Sequence, residues 1–401
     1  GVDDAGAEVG LWFAFAEEGS RQYFFTAYGS PSDLAARRTS LETIVAQSEP
    51  ASAQKLGYDA SDTLFLLGYD PIARQMDPAR QTGSAAGYIG LLYSGLVRLA
   101  PNMQVEPDLA ESWTISPDGT EYTFTLRDGI VFQSGKPITA ADFQYSWERA
   151  TDAETDSTTA ATYLGDILGV AEKMAGEAES IAGIEVVDDR TLKVTLDEPK
   201  PYFLLKLTYP TSYVVDEDNV DPDDEEWVFE PNASGPYTLA DIRQETAVIF
   251  ERNDNYHTPP AIPNVVQLLY RVGSRASLFE FGEVDVVGVG GNEAKRIREP
   301  EDELHGRWLS TTSLCTSMVM LNNDLAPMDD LNVRRALSLA VDKQAINDLL
   351  NEGLDVIAEG ILPPAMPGYS AEVMQGRAES GYDPEAARSA LAASEYASGL
   401  P

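Results

Sequence analysis

Residue types that do chemistry are thinly supplied in this chain. Its 401 residues include two histidines, His257 and His305, and one cysteine, Cys315. A nucleophile–histidine–acid relay needs a base beside a nucleophile and a third group to orient it. Neither histidine has such neighbours in the sequence, and both read as surface or packing residues. One cysteine closes no internal disulfide, and without histidines nearby it makes no zinc site. Carboxylates are plentiful, in Glu106/Asp108, Asp152/Glu154, Asp188/Asp189 and the run from Asp223 to Glu226. Acid–base chemistry requires two carboxyls facing each other across a cleft, in environments that push their pKa values apart. Neighbours in turns and acidic loops do not provide that. The segment DEDNVDPDDEEW (216–227) lacks the glycine and spacing of a calcium loop. GVGGN (288–292) lacks the Lys-Ser/Thr of a phosphate loop, and no dinucleotide fingerprint occurs. The residues point to a protein that is not an enzyme, needs no metal and no cofactor, and holds something instead.

The elements are specified more firmly than any chemistry. LRDGIVFQSGKPITAADFQYSWERA (126–150) spends its residues on turns at Asp128-Gly129 and Ser134-Gly135 and on a helix. Thr139 is the expected N-cap of that helix, with Asp142 in its first turn. Phe143 and Trp147 share one face, a packing arrangement, and Tyr145 stands between them in sequence. Alternation at Tyr122, Phe124 and Leu126 predicts a strand, and YTFTLRDGIVF predicts two short strands around Asp128-Gly129. IEVVDDRTLKVTL predicts a hairpin turning at Asp188-Asp189-Arg190. Further strands are expected in TLFLLGYD, GPYTL, AVIFERNDNY and SMVMLNN, and PNVVQLLYRV predicts a strand apolar on both faces. DDLNVRRALSLAVDKQAINDLLNEG predicts two helices with Asp caps and Gly353 as the stop. Strands and helices mix without strict alternation, which predicts α/β lobes with mixed sheets. At the N-terminus, two apolar runs around Glu-Glu-Gly-Ser predict a hairpin, and a helix capped by Ser30 follows. That piece is too small for a domain and reads as an appendage or the tail of an upstream domain.

Composition sets outer bounds. Lys and Arg number 28 against 66 Asp and Glu, a net charge of −38. Nucleic acid, whose binding depends on basic side chains displacing counterions, is excluded as a partner, and an anionic membrane surface is disfavoured on the same ground. The charge reads as a solubility coat of a secreted or salt-tolerant protein. No apolar run approaches the length of a membrane span, and residue 1 opens no signal peptide. A leader already removed, or a start inside a longer product, is the expectation.

PDLAESWTISPDGTEYTFTLRDGIVFQSGKPITAADFQYSWERA (107–150) resembles the extracellular solute-binding proteins of peptide ABC importers, the oligopeptide- and dipeptide-binding family 5. LDEPKPYFL, SGPYTL, FERNDNYH, FGEVDVV and LNVRRALSLAVDKQAI resemble that family's landmarks in the family's order, so the likeness covers about 60–395. The resemblance implies a two-lobed fold of the periplasmic-binding-protein type II kind, with an extra subdomain in the first lobe. The expected organisation is an appendage over 1–55, a first-lobe main domain over 56–91 and 214–314, the extra subdomain over 92–213, and the first part of a second lobe over 315–401. The main sheet is expected to pair 62–69 with strands from 234–290.

The resemblance also implies function. Thr82, Gly83 and Ser84 match the loop that holds a peptide backbone by strand-like hydrogen bonds, with Gly83 allowing close approach. Ala160, Gly288, Ser313, Met318 and Met320 stand where oligopeptide binders have ligand-facing aromatics or acids, which implies a different or bulkier ligand. Expected partners are a peptide or similar small solute, ABC permease and ATPase subunits, and a membrane reached only through the permease or a lipid anchor outside this chain. The same fold also serves receptors and chaperone-like or envelope-complex proteins. The expected location is extracellular or periplasmic. Some family members carry a cysteine matching Cys315 that is bonded to one further on, so the resemblance implies a partner beyond Pro401 and a second lobe that continues there.

Overall fold

The computed structural model describes residues 10–18, 21–29, 58, 62–68, 76–81, 86–100, 103–221, 224–243, 246–258, 263–271, 273–310, 315–358, 360–364, 366, 368–370, 372–373 and 381–399. Two compact units divide between Val287 and Gly288. In chain order the first unit contains β1 (Gly10–Glu18), β2 (Arg21–Gly29), β3 (Thr63–Leu67), α1 (Ala86–Leu92), β4 (Val97–Leu99), β5 (Val105–Pro107), β6 (Ala110–Ile115) and β7 (Glu121–Leu126). It continues with α2 (Ala140–Ala150), α3 (Ala160–Tyr163), α4 (Val170–Met174), β8 (Ile184–Asp188), β9 (Thr191–Thr195) and α5 (Phe203–Lys206). β10 (Tyr237–Arg243), β11 (Ala247–Arg252), β12 (Val265–Leu269) and α6 (Arg275–Glu280) complete it. β1 and β2 pair antiparallel, as the two apolar runs predict. The helix expected from Ser30 lies outside the described residues.

The main sheet has the order β10-β11-β12-β3. β3 joins β12 in parallel, with Thr63 opposite Val265 and Leu67 opposite Leu269, so 62–69 does pair within 234–290. Alternation then sorts the side chains onto two faces. Leu64, Leu66, Val248, Phe250, Val266 and Leu268 pack with α1 residues Ile89 and Leu92. Phe65, Ala247, Ile249, Val265 and Leu269 pack with Leu278 of α6. With both faces covered, every residue of β12 is buried, which explains a run that is apolar but for Gln267. Beside β3, Asp285 accepts the Phe65 N–H at 2.8 Å and returns its own N–H to the Phe65 carbonyl. Val286 bridges Leu66, which is where the end of FGEVDVV meets the sheet.

Between β3 and β10 the chain builds a second sheet, β6-β7-β9-β8, antiparallel throughout. Its inner face carries Tyr122, Phe124, Leu126, Leu192 and Val194, which pack against Phe143 and Trp147 of α2. The cap of α2 is as expected, with Asp142 accepting both the backbone N–H (2.7 Å) and the hydroxyl (2.8 Å) of Thr139. The strand expected after Asp128-Gly129 is not formed. Gly129 and Gly135 both take positive φ, and two turns that close together leave room only for an isolated bridge, Val131 to Pro137.

The second unit contains α7 (Gly291–Arg298), α8 (Leu331–Ala340), α9 (Lys343–Leu350) and α10 (Pro384–Ala392). Its first helix lies ahead of the lobe boundary expected at 314/315 and is tied into the unit by Lys295, which pairs with Glu352 at 2.8 Å. Asp330 and Asp342 cap α8 and α9, and Gly353, at φ 69°, follows the second of these. Asp330 also accepts the Glu395 N–H, fixing the end of α10 to the start of α8. The strand expected in SMVMLNN is absent. Strands exist by pairing, and no strand is described in 288–399 for this segment to join; Val319 and Met320 are 87% and 86% exposed.

Candidate functional site

Segment 76–81 leads directly into Thr82-Gly83-Ser84, and four side-chain contacts fasten it to the inserted subdomain. Arg149, in the last turn of α2, grips Asp77 with both guanidinium arms, Nη1 to Oδ1 at 3.0 Å and Nη2 to Oδ2 at 2.5 Å. Asp77 in turn accepts the Ala79 N–H at 2.9 Å. Arg80 Nε donates to the Thr155 carbonyl at 2.6 Å, and the Ser157 hydroxyl donates to the Ala79 carbonyl at 2.5 Å. Tyr209 Oη donates to Gln81 Oε1 at 3.3 Å. Met76, Asp77, Ala79 and Gln81 are all buried.

The Asp77–Arg149 pair is mostly withdrawn from water, with side-chain exposures of 10% and 15%. Burial disfavours the charged guanidinium, and the Asp77 carboxylate outweighs that, so the Arg149 pKa moves upward. Removing one member would strand the other's charge, at about 3–5 kcal/mol. The Trp227 ring lies 5.3 Å from the guanidinium carbon. Tyr93 is buried nearby, and burial, with Asp77 adding, pushes its hydroxyl pKa up.

Tyr163 and Tyr209 stack beside this segment with ring centroids 3.7 Å apart and planes within 2°. Face-to-face stacking is the less favoured geometry for two rings, so the supports matter. Thr159 and Thr211, adjacent to the two tyrosine segments, join hydroxyls at 2.7 Å, and Ser157 Oγ accepts the Ala160 N–H at 3.1 Å. Both rings are half-buried. The arrangement offers aromatic surface and hydroxyl edges rather than a reactive group. Neither tyrosine stood out in the sequence. The one signal was Tyr209-Pro210, because the residue before proline is held to an extended backbone.

The expected site residues fare differently. Thr82, Gly83, Ser84 and Ser313 lie outside the described residues. Ala160 belongs to the first unit and is brought by Ser157 to the 76–81 segment, but it is fully buried, so it lies behind the surface rather than on it. Its amide, at the first position of α3, donates to Ser157 Oγ, and the methyl group is closed in by the surrounding fold. Gly288, Met318 and Met320 belong to the second unit and are exposed, Met318 at 49%. Cys315 is exposed as well.

The acidic pairs serve local structure. Glu106 pairs with Arg98, Asp152 caps Glu154 and binds Lys173, Asp188 accepts the Arg190 N–H, and Asp224 that of Glu226. Asp108 is different, and it gives His257, a packing residue, a partner that the sequence around it does not show. Its Oδ1 accepts the Tyr256 hydroxyl at 2.5 Å and lies 2.9 Å from His257 Nε2, while Thr258 Oγ1 lies 2.8 Å from His257 Nδ1. Ser94 Oγ meets Tyr256 Oη at 3.1 Å. These are the residue types of a serine relay with the wrong connectivity, because the serine meets tyrosine and not histidine. Residues far apart in sequence met to satisfy a buried carboxylate, which no local pattern announces. Among the described residues no group of three or more His, Cys, Asp or Glu could hold a metal ion.

The sequence profile described as bacterial extracellular solute-binding proteins, family 5 middle, matches residues 104–400. The chain is 33% identical over 307 residues to the probable deoxycholate-binding periplasmic protein YgiS of Escherichia coli K12, a match covering 74% of this chain and 56% of that protein. It is 31% identical over 311 residues to the periplasmic oligopeptide-binding protein OppA of the same organism, covering 74% and 55%. The structure of Haemophilus influenzae OppA in complex with RPPGFSPFR aligns with a TM-score of 0.68 at 26% identity, covering 83% of this chain and 66% of that one. The chain thus spans just over half the length of the two Escherichia coli relatives.

Proposed function

The chain belongs to the bacterial extracellular solute-binding proteins of family 5, and from that membership we propose that it captures a small solute for an ABC-type importer. The solute, a peptide in the first reading, is held between two lobes and handed to a membrane permease without being chemically changed. Thr82, Gly83 and Ser84 form the backbone-binding loop, and Gly288, Ser313, Met318 and Met320 belong to the wall. The observation that carries this reading is the anchoring of 76–81: a buried bidentate ion pair and three further bonds support the residue that precedes Thr82. A scaffold of that kind suits a site that must be in shape before its ligand arrives. The protein works on the outer side of the membrane, attached through a permease or through an anchor outside this chain. No helix among the described residues is long and apolar enough to cross a membrane.

A second ligand class has an observation of its own. The relative at 33% identity is named for deoxycholate, and the small and thioether side chains of the proposed wall suit an apolar solute as well as a peptide. Mass spectrometry of solute co-purified with the full-length protein, followed by calorimetry with that solute, separates the two. A peptide that binds and is recovered intact supports the first reading, and a steroid acid the second. Turnover of the solute would overturn the binding role. Gly83→Val is expected to weaken binding about tenfold by blocking backbone approach, and unchanged affinity would remove the loop from the site.

A further inference from the structure

The geometry points to Arg149 as a positioning residue: from the inserted subdomain it fixes segment 76–81, and so sets the affinity of the ligand loop proposed to follow that segment. This deepens the ligand-binding reading above and rests on it. The contacts that hold 76–81 are not equivalent. Ser157 and Tyr209 bond to the segment through neutral groups, and Arg80 donates through Nε to the neutral Thr155 carbonyl. Arg149 makes two parallel charge-assisted bonds, which fix direction as well as distance. The carboxylate it holds is already committed to the next turn of the chain through the Ala79 N–H. Rotation of Arg149 would therefore be passed to Ala79 and onward to Gln81. The guanidinium is itself held beside the Trp227 ring, and α2 is fixed at its start by the Thr139–Asp142 cap. Lysine at 149 keeps the charge and loses the fork.

The test uses full-length protein carrying Arg149→Lys or Asp77→Asn, with wild type and Lys193→Gln as references; Lys193 pairs with Glu121 on the inserted sheet, away from the clamp. Hydrogen exchange compares the Ala79 and Arg80 amides with those of Ile249 and Phe250 in β11. Calorimetry measures affinity for the nonapeptide RPPGFSPFR. Both clamp variants are expected to speed exchange at Ala79 and Arg80 about tenfold more than at Ile249 and Phe250. They are expected to bind the peptide about tenfold more weakly, while Lys193→Gln matches wild type in both readouts. Should Arg149→Lys fail to fold, Asp77→Asn keeps the side-chain shape and decides alone. Wild-type exchange and affinity in the clamp variants would overturn the inference. Faster exchange spread evenly into β11 would also overturn it, since that marks general loss of stability. If wild type binds no peptide, the proposed ligand class falls, and the exchange comparison still decides the clamp.

Discussion

The indole N–H of Trp147 donates to the carbonyl of Ser212 at 2.8 Å, with both residues buried. The bond ties the centre of α2 to the turn that carries Tyr209. Trp147→Phe keeps most of the apolar contact and removes the donor, so a buried carbonyl loses its partner. The expected cost is about 1–3 kcal/mol, read as a lower urea midpoint for the first unit. Trp147→Ala adds a cavity and is expected to cost about 3–5 kcal/mol.

Gly235 is fixed by what surrounds it. A Cβ there would lie 2.6 Å from the Leu92 carbonyl carbon and 2.7 Å from the Tyr93 nitrogen, both backbone atoms that cannot rotate away. Gly235→Ala is expected to destabilise the first unit by about 1–3 kcal/mol through overpacking. A thermal melt matching wild type would mean that α1 and β10 can separate freely.

Acid should weaken the contact at Asp216. Burial alone would raise its pKa; the Lys136 ammonium, the Asn232 amide and the Asp218 N–H outweigh it and hold the carboxyl below its ordinary 3.8. A carboxyl depressed by folding takes up its proton more readily when unfolded. Its contribution is therefore complete above the unfolded value and lost as pH falls through the folded one. Lys136→Met is expected to lower stability at pH 7 and to narrow the difference between melts at pH 5 and pH 3. An unchanged difference would exclude the pair as a source of acid sensitivity.

A net charge of −38 makes the folded state repel itself. Salt at 1 M shortens the screening length to about 3 Å, against about 30 Å at 0.01 M. The melting temperature is therefore expected to rise with salt, by roughly 2–4 °C for each kcal/mol of repulsion relieved. Equal shifts in potassium chloride and sodium chloride would assign the effect to screening.

Local chemistry carried most of the legible fold. Thr139 and Asp142 stand three apart at a helix start, and that spacing is enough to form the cap. Val265–Leu269 is apolar at four of its five positions because both its faces are covered. The site was harder to read, since its supports join distant residues. Asp77 with Arg149, Tyr163 with Tyr209, and Asp108 with His257 meet only after the inserted subdomain has folded. No periodicity encodes such meetings. The strand expected in SMVMLNN failed for a related reason, because an apolar run cannot specify the strand it will pair with.

The parallel pairing of β3 with β12 also sets an order of events. Thr63 is synthesised before its partner Val265, which follows only after the whole inserted subdomain. Until then β3 has no ladder to join, while β6, β7, β8 and β9 can pair among themselves. The inserted sheet can form first, and closing the main sheet waits on a contact of long sequence separation, the kind that slows folding. A chain built this way keeps the edge of β3 open, and exposed to other strands, until β12 has been made.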